Sequence, residues 1–104
     1  MEDSRGFIRF FSQLKGRYFL EDKEGAREEC TIINANRKGM GIKFHTPEGI
    51  NIGATIHLEI FVSTELEPLN VTGILKWIKE GENYFVGGIE FPEMLEEDKF
   101  AKLG

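Results

Sequence analysis

Two short segments of the 104-residue chain carry the side chains best suited to bind a small anion. Arg5 and Arg9 lie four residues apart beside an apolar cluster, and residues 34–39 form a polar turn that reads Asn-Ala-Asn-Arg-Lys-Gly. An arginine fork binds phosphate oxygens or the O6/N7 edge of guanine in a bidentate manner. Asparagine offers donors and acceptors, and the backbone N–H groups of a turn with glycine can approach an anion closely. The two segments are chemically complementary.

The charge of the chain argues against general binding to DNA or RNA. The net charge is −5 at pH 7, whereas binding to nucleic acids draws most of its affinity from neutralising many phosphates. Residues 1–20 carry four basic residues against two acids, giving +2, and residues 80–104 carry two lysines against seven acids, giving −5. A small anion with few phosphates could use the positive charge at the start of the chain and at Arg37-Lys38.

No catalytic or metal-binding motif is visible in the sequence. His45 and His57 accompany no recognisable nucleophile motif, so we assign them structural or solvated roles. The acids near the end of the chain are typical of a solvated helix face. Cys30 is the sole cysteine and has no His or Cys in metal-ligand spacing, which predicts a small buried hydrophobe. We therefore expect neither an enzyme nor a bound cofactor.

The elements that must position the polar segments are short strands. Residues 54–62 show the cleanest pattern, because apolar side chains alternate there with Thr55, His57 and Glu59. Weaker alternation between clusters of turn residues predicts five further strands, near 17–22, 28–35, 40–45, 69–79 and 84–91. Six short strands without long helices between them predict an all-β, closed or nearly closed antiparallel barrel.

Two helices and one hairpin complete the predicted structure. Residues 92–104 begin with proline and carry an apolar stripe, which favours a C-terminal helix, and residues 7–14 are a weaker helix candidate. Glu80 to Asn83 should close a hairpin between Trp77-Ile78 and Phe85-Val86. Bulky aromatic side chains are the natural filling of a modest core. We assign Trp77 to the core or to a contact with a helix, and the following to the core: Phe7, Phe10, Phe11, Phe85 and Phe91.

The length of the chain suits one compact domain. We divide it into an N-terminal ligand-binding segment at 1–16, a barrel at 17–91 and a C-terminal helix at 92–104. The apolar stretches are too short to span a bilayer, and the first residues lack the features of a signal peptide. These observations predict a cytoplasmic protein without membrane insertion.

The two polar segments resemble the paired motifs of the PilZ family. Arg5 and Arg9 match the R-x-x-x-R motif, while Asn34, Asn36 and Gly39 stand in the pattern [D/N]-x-[S/A]-x-x-G, with 24 residues between Arg9 and Asn34. The stretches Gly-Ile-Leu-Lys-Trp-Ile and Tyr-Phe-Val-Gly-Gly-Ile-Glu-Phe extend the resemblance over nearly the whole chain. It implies a six-stranded barrel with a C-terminal helix, and binding of cyclic di-GMP, a bacterial second messenger with two guanines and two phosphates.

The resemblance also implies roles for single residues. Arg5 and Arg9 would contact guanine and phosphate from a flexible N-terminal segment, and Asn34 would bond a guanine edge. Gly39 matches the turn glycine of the family. Asn36 is the clearest departure from the family, because it replaces the usual Ser or Ala with a larger polar side chain.

Arg37 and Lys38 complete the expected ligand-binding residues, because they would add positive charge beside the dinucleotide. Lys38 stands where the family often has glycine.

The function that follows is a ligand-responsive adaptor. Cyclic di-GMP would order the N-terminal segment as far as about Phe10, and an unidentified protein partner would respond to the change of shape. The alternative is a PilZ-like interaction module that binds little or no dinucleotide. A small-barrel binder of single-stranded RNA or DNA is disfavoured by the net charge of −5.

Overall fold

Six strands and one short helix make up the protein in a computed structural model that describes residues 8–23, 25, 27–45 and 50–103. The helix is the last of these elements. In chain order they are β1 (Arg9–Leu20), β2 (Glu28–Asn36), β3 (Gly39–Phe44), β4 (Thr55–Phe61), β5 (Leu69–Glu80), β6 (Phe85–Glu90) and α1 (Glu97–Lys102).

The strands close into an antiparallel barrel in the order β1-β2-β3-β6-β5-β4. Pairing of β1 with β4 completes the ring, so the strands protect one another's edges. The interior is filled by apolar side chains from all six strands, and its largest fully buried members are Phe44, Ile32, Ile42, Ile56, Leu58, Ile60 and Leu75. The predicted barrel is confirmed, as is the hairpin between β5 and β6, where Glu80 pairs with Phe85.

The C-terminal helix is shorter than the predicted span of 92–104. Glu96 still has an extended backbone, and α1 runs from Glu97 to Lys102. Acids in its first turn and lysines in its last complement the helix dipole. Leu103 is buried against the core at the end of the helix. Among the described residues, no helix is long and apolar enough to cross a membrane.

β1 begins eight residues earlier than the strand predicted at 17–22. Arg9 pairs with Ala35 and Phe10 pairs with Asn34, so residues 9–16 belong to a strand of the barrel and do not form the helix considered at 7–14. The register between β1 and β2 shifts between Phe10 and Leu14. This irregularity breaks the inside–outside alternation from which a strand is predicted, and it hid the first half of β1.

A β-bulge in β2 reverses which side chains face the interior. Pairs with β3 are made by Ile32 and then Asn34, which leaves Ile33 as the extra residue. Cys30 and Ile32 are buried, so regular alternation would bury Asn34 as well. Because of the bulge, the next buried residue is Ala35, and Asn34 takes the outer face.

A second bulge acts in the same way on β5. Leu75 and Trp77 make successive pairs with β6, and Lys76 is the extra residue between them. Val71 and Leu75 are buried, and Trp77 would follow them into the core if the alternation continued. Instead, Ile78 packs against the core and Trp77 is 46% exposed.

The placement of the aromatic residues therefore differs from the prediction at two positions. Phe10 was expected in the core, and Trp77 in the core or against a helix. Both lie on the surface, because register shifts beside them reverse the alternation. The core assignment is confirmed for Phe91, which is buried, and for Phe11 and Phe85, which pack against the core. Phe7 lies outside the described residues.

Cys30 and His57 take the structural positions expected of them. Cys30 is buried, and burial raises the pKa of its thiol to about 12. Neutral thiol is therefore the form at physiological pH. His57 stacks on Phe19 and makes hydrogen bonds with Thr72 and Glu21. Among the described residues, no cluster of His, Cys, Asp and Glu could hold a metal ion.

The bulge at Lys76 can be tested through fluorescence, because Trp77 is the single tryptophan. Because the indole is about half exposed, we expect emission between that of a buried indole and that of an indole in water, and ready quenching by acrylamide in the folded protein. Unfolding in urea should shift the emission only moderately to longer wavelength. Blue-shifted emission that resists quenching until the protein unfolds would place the indole in the core and contradict the bulge.

Candidate functional site

One row of paired residues crosses four strands on the outer face of the barrel. Asn34 on β2 pairs with Gly41 on β3, Gly41 pairs with Gly88 on β6, and Gly88 pairs with Trp77 on β5. We call Gly41 and Gly88 the glycine floor, since both are buried and neither has a side chain. The row therefore has a polar side chain at one end, an indole at the other and bare backbone between them.

The glycine floor lets both flanking side chains lie against the barrel. A Cβ atom on Gly88 would collide with Nε1 of the Trp77 indole, so the indole lies directly over that glycine. A Cβ atom on Gly41 would come within 2.9 Å of Oδ1 of Asn34. Glycine in the interior of a strand commonly marks such a close approach.

A shallow concavity of about 300 Å³ covers this row. Its volume is at the lower end of the range of small-molecule sites. Two lysines give it positive charge, and one carboxylate gives it negative charge. The lining residues are Ile8, Asn34, Asn36, Lys38, Gly39, Met40, Gly41, Lys76, Trp77, Gly88, Ile89 and Glu90.

The Asn34 side chain is held in place by the backbone of the floor. The N–H of Gly41 donates a hydrogen bond to Oδ1 of Asn34 at 3.1 Å. An asparagine amide has one oxygen acceptor and one NH₂ group with two donors. Because the oxygen is used by the floor, the NH₂ group is the part of Asn34 that can donate to a bound molecule.

Asn36 stabilises its own turn. Its Oδ1 accepts hydrogen bonds from the backbone N–H groups of Lys38 at 2.8 Å and of Gly39 at 3.0 Å. Asparagine commonly closes turns by bonding the backbone two residues later. The N–H groups expected to face an anion are thus already bonded within the turn.

Gly39 is required by close packing of strands. Among the described residues only Gly53 has a positive φ, so Gly39 does not serve a left-handed turn. A Cβ atom at Gly39 would instead collide with the backbone oxygen of Ile89 on β6. The absence of a side chain allows β3 and β6 to pair closely beside the concavity.

Arg37 points its charge towards the segment that leads to α1. Its Nε donates to the backbone oxygen of Leu95 at 2.7 Å, and the N–H of Leu95 donates to the backbone oxygen of Arg37 at 2.7 Å. A weaker ion pair joins Arg37 to Glu97 at 3.9 Å. Arg37 therefore does not line the concavity, whereas the exposed Lys38 does.

The Arg9 guanidinium rests on the C-terminal helix. Its Cζ lies 5.0 Å from the centre of the Phe100 ring, within the range of a cation–π interaction. Ile8, the preceding residue, lines the concavity. Arg5 lies outside the described residues. Of the seven expected ligand-binding residues, the concavity brings together Asn34, Asn36, Lys38 and Gly39.

Eight of the twelve residues that line the concavity were not recognised from the sequence as part of a site. These are Ile8, Met40, Gly41, Lys76, Trp77, Gly88, Ile89 and Glu90. Glycines within two predicted strands were a usable signal, because glycine in a strand often marks a bulge or a close approach. The outward position of Trp77 depends on the bulge at Lys76, which the residue pattern does not reveal.

Comparisons with known proteins identify relatives of this fold. A family model described as PilZ domain matches residues 3–104. The structure of the Bacillus subtilis inhibitor of motility (MotI/DgrA) is similar, with a TM-score of 0.70 and 15% sequence identity. The match covers 98% of this chain and 49% of that chain, so this chain spans about half the length of the similar structure. No curated protein matches the chain.

The packing role of Gly39 predicts that Gly39→Ala destabilises the protein without any ligand. Overpacking between paired backbones should lower the free energy of unfolding by about 1–3 kcal/mol, as measured in urea. Gly25→Ala is the matched control: a Cβ atom there meets nothing within 4 Å, and its effect should stay within about 0.5 kcal/mol. Equal stabilities of the two variants would refute the packing role.

Proposed function

Because this chain belongs to the PilZ domain family, we propose that it is a receptor for cyclic di-GMP and binds it in the concavity over the glycine floor. The observation that carries this proposal is the row from Asn34 to Trp77. It presents a hydrogen-bonding amide and an aromatic ring on the same outer face, with bare backbone between them. These are the groups that a nucleobase needs.

The proposed contacts to a guanine base divide between the two ends of the row. The exposed indole of Trp77 offers a surface on which a base can stack, which contributes about 1–3 kcal/mol for a stacked base. The NH₂ group of Asn34 can donate to O6 or N7, the acceptors that guanine presents on one edge. Stacking tolerates any base, so the hydrogen bonds supply the selectivity.

The phosphates would be bound by the basic residues around the concavity. Lys38 and Lys76 line it, and in this proposal Arg9 and Arg5 would join them on the ligand. Arg9 would leave Phe100 to reach the ligand. A cation–π contact at an exposed site is worth about 0.5–1 kcal/mol, while a good bidentate contact to guanine is worth about 1–3 kcal/mol. Exchange of the Phe100 contact for a contact with the ligand therefore favours binding.

The N-terminal residues would close the site in this proposal. Ile8 lines the concavity, and Arg5 is three residues earlier in the chain, a reach of about 10 Å at full extension. Two arginines near each other repel until an anion lies between them. We therefore propose that the dinucleotide orders the N-terminal segment that leads into β1, which gives a partner a new surface to bind.

The proposed output is an interaction with a protein partner, without catalysis by this domain. Both ligand segments contact the C-terminal region: Arg9 through Phe100 and Arg37 through Leu95. A change at the site therefore reaches α1 directly. The similar structure is described as an inhibitor of motility, and control of motility is accordingly the first process to test.

A ligand-independent interaction module is the second candidate. The observation in its favour is Asn36, whose Oδ1 already bonds the turn N–H groups of Lys38 and Gly39. Exposed apolar side chains at Phe10 and Trp77 would then contact a protein in place of a base.

Calorimetric titration with cyclic di-GMP, beside GTP and cyclic GMP, separates the two candidates. A receptor should bind the dinucleotide and show much weaker binding of the two mononucleotides, which cannot occupy both guanine and phosphate positions. Absence of heat with cyclic di-GMP at millimolar concentration would refute the receptor function and favour the interaction module.

Substitution of the arginines tests the assignment of the site. Arg9→Ala and Arg5→Ala should each weaken the binding of cyclic di-GMP by about tenfold or more, because a bidentate contact to guanine is worth about 1–3 kcal/mol and about 1.4 kcal/mol corresponds to a factor of ten. Arg17→Ala is the matched control: Arg17 also lies on β1 over a phenylalanine ring, that of Phe61, and does not line the concavity. The affinity of Arg17→Ala for cyclic di-GMP should equal that of the parent. Parental affinity in both Arg5→Ala and Arg9→Ala would refute the assignment of the two arginines to the site.

A further inference from the structure

We infer that Glu90 makes the site selective for guanine over adenine, an inference that rests on the proposed function. Glu90 is the last residue of β6 and lines the concavity together with Asn34 and Trp77. It lies two residues after Gly88 on the same strand, so both face outward, about 7 Å apart along the strand. A base that lies over the glycine floor would therefore have the Glu90 carboxylate beside one edge.

The partner of Glu90 is a weak one. Nζ of Lys76 lies 3.6 Å from Oε1 of Glu90, and both side chains are more than half exposed. Exposed ion pairs at such distances contribute little, so a ligand can replace the lysine at small cost. Lys76 is the bulged residue next to Trp77, which places the pair beside the indole. Released from Glu90, Lys76 would be available to a phosphate.

Glu90 carries a negative charge in a site proposed to bind an anion, so its presence there needs a specific explanation. A carboxylate in the lining repels the phosphates of a dinucleotide, which lowers affinity unless it accepts hydrogen bonds from the same ligand. An ionised carboxylate is an acceptor with two oxygens and no donor. A base that offsets this repulsion must therefore present two adjacent hydrogen-bond donors on one edge.

Guanine presents such an edge and adenine does not. The N1–H and N2–H₂ groups of guanine are adjacent donors that match the two oxygens of Glu90. Adenine has an unprotonated N1 at the equivalent position, and its lone pair would face the carboxylate. The structure thus divides recognition between an acceptor at Glu90 and a donor at Asn34, whose oxygen is already bonded to Gly41. A site that hydrogen-bonds the donor edge of guanine disfavours an analogue that lacks those donors.

The test is the ratio of affinities for cyclic di-GMP and cyclic di-AMP, measured by calorimetry on the full chain. The parent should prefer cyclic di-GMP. Glu90→Gln should weaken binding of cyclic di-GMP by about tenfold, because one charged acceptor pair is lost. Binding of cyclic di-AMP should stay equal or strengthen, because a negative charge has gone. Glu93→Gln removes the same charge at an exposed position outside the concavity and should leave the ratio unchanged.

Each other outcome identifies which statement fails. Equal strengthening of both ligands in Glu90→Gln would show that Glu90 only repels phosphate, and would overturn the selectivity. If the parent binds cyclic di-GMP and Glu90→Gln has the same ratio of affinities as the parent, the selectivity role of Glu90 is overturned, while the receptor function stands. Absence of cyclic di-GMP binding by the parent would refute the receptor function and the selectivity together. A urea unfolding curve for each variant checks that the fold is retained.

Discussion

The outer site depends on the two extra residues that reverse strand alternation. Successive side chains on a strand point to opposite faces. In a barrel with regular alternation, the face on which one residue lies therefore fixes the face of every other residue on that strand. The bulges at Ile33 and Lys76 break this constraint on β2 and β5. Each lies immediately before the residue that it turns outward. Without them, Asn34 and Trp77 would both compete for space in the core.

Between the bulged strands, regular alternation has a complementary effect. β3 and β6 pair without a register shift, and their outward positions opposite the turned side chains are the glycines of the floor. A larger residue at either position would displace the amide or the indole. The same two strands bury Ile42 and Ile89 on the inner face. The same four strands therefore carry the site on their outer face and apolar core residues on their inner face.

The sequence revealed the strands more readily than the direction of particular side chains. Clean alternation made β4 evident, and five of the six strands agree with prediction to within about two residues, the usual uncertainty of an element end. The first half of β1 was missed, and the surface positions of Phe10 and Trp77 were not predicted, because register shifts leave no signal in composition or spacing. Asn34, Asn36, Lys38 and Gly39 were recognised by their residue types and do lie together. The bonds of Arg37 to the C-terminal segment were not foreseeable, since they join residues 58 apart in sequence.

The central claim is that the row from Asn34 to Trp77 is the surface on which the dinucleotide lies. NMR spectra of the ¹⁵N-labelled protein, recorded with increasing cyclic di-GMP, test it most directly. The account predicts that the largest shifts occur at the Asn34 side-chain amide, the Trp77 indole N–H and the backbone N–H groups of Gly41 and Gly88. The account would be contradicted if these signals stayed unchanged and the shifts occurred instead around Lys15, Arg17 and His45, which line a separate groove on the barrel.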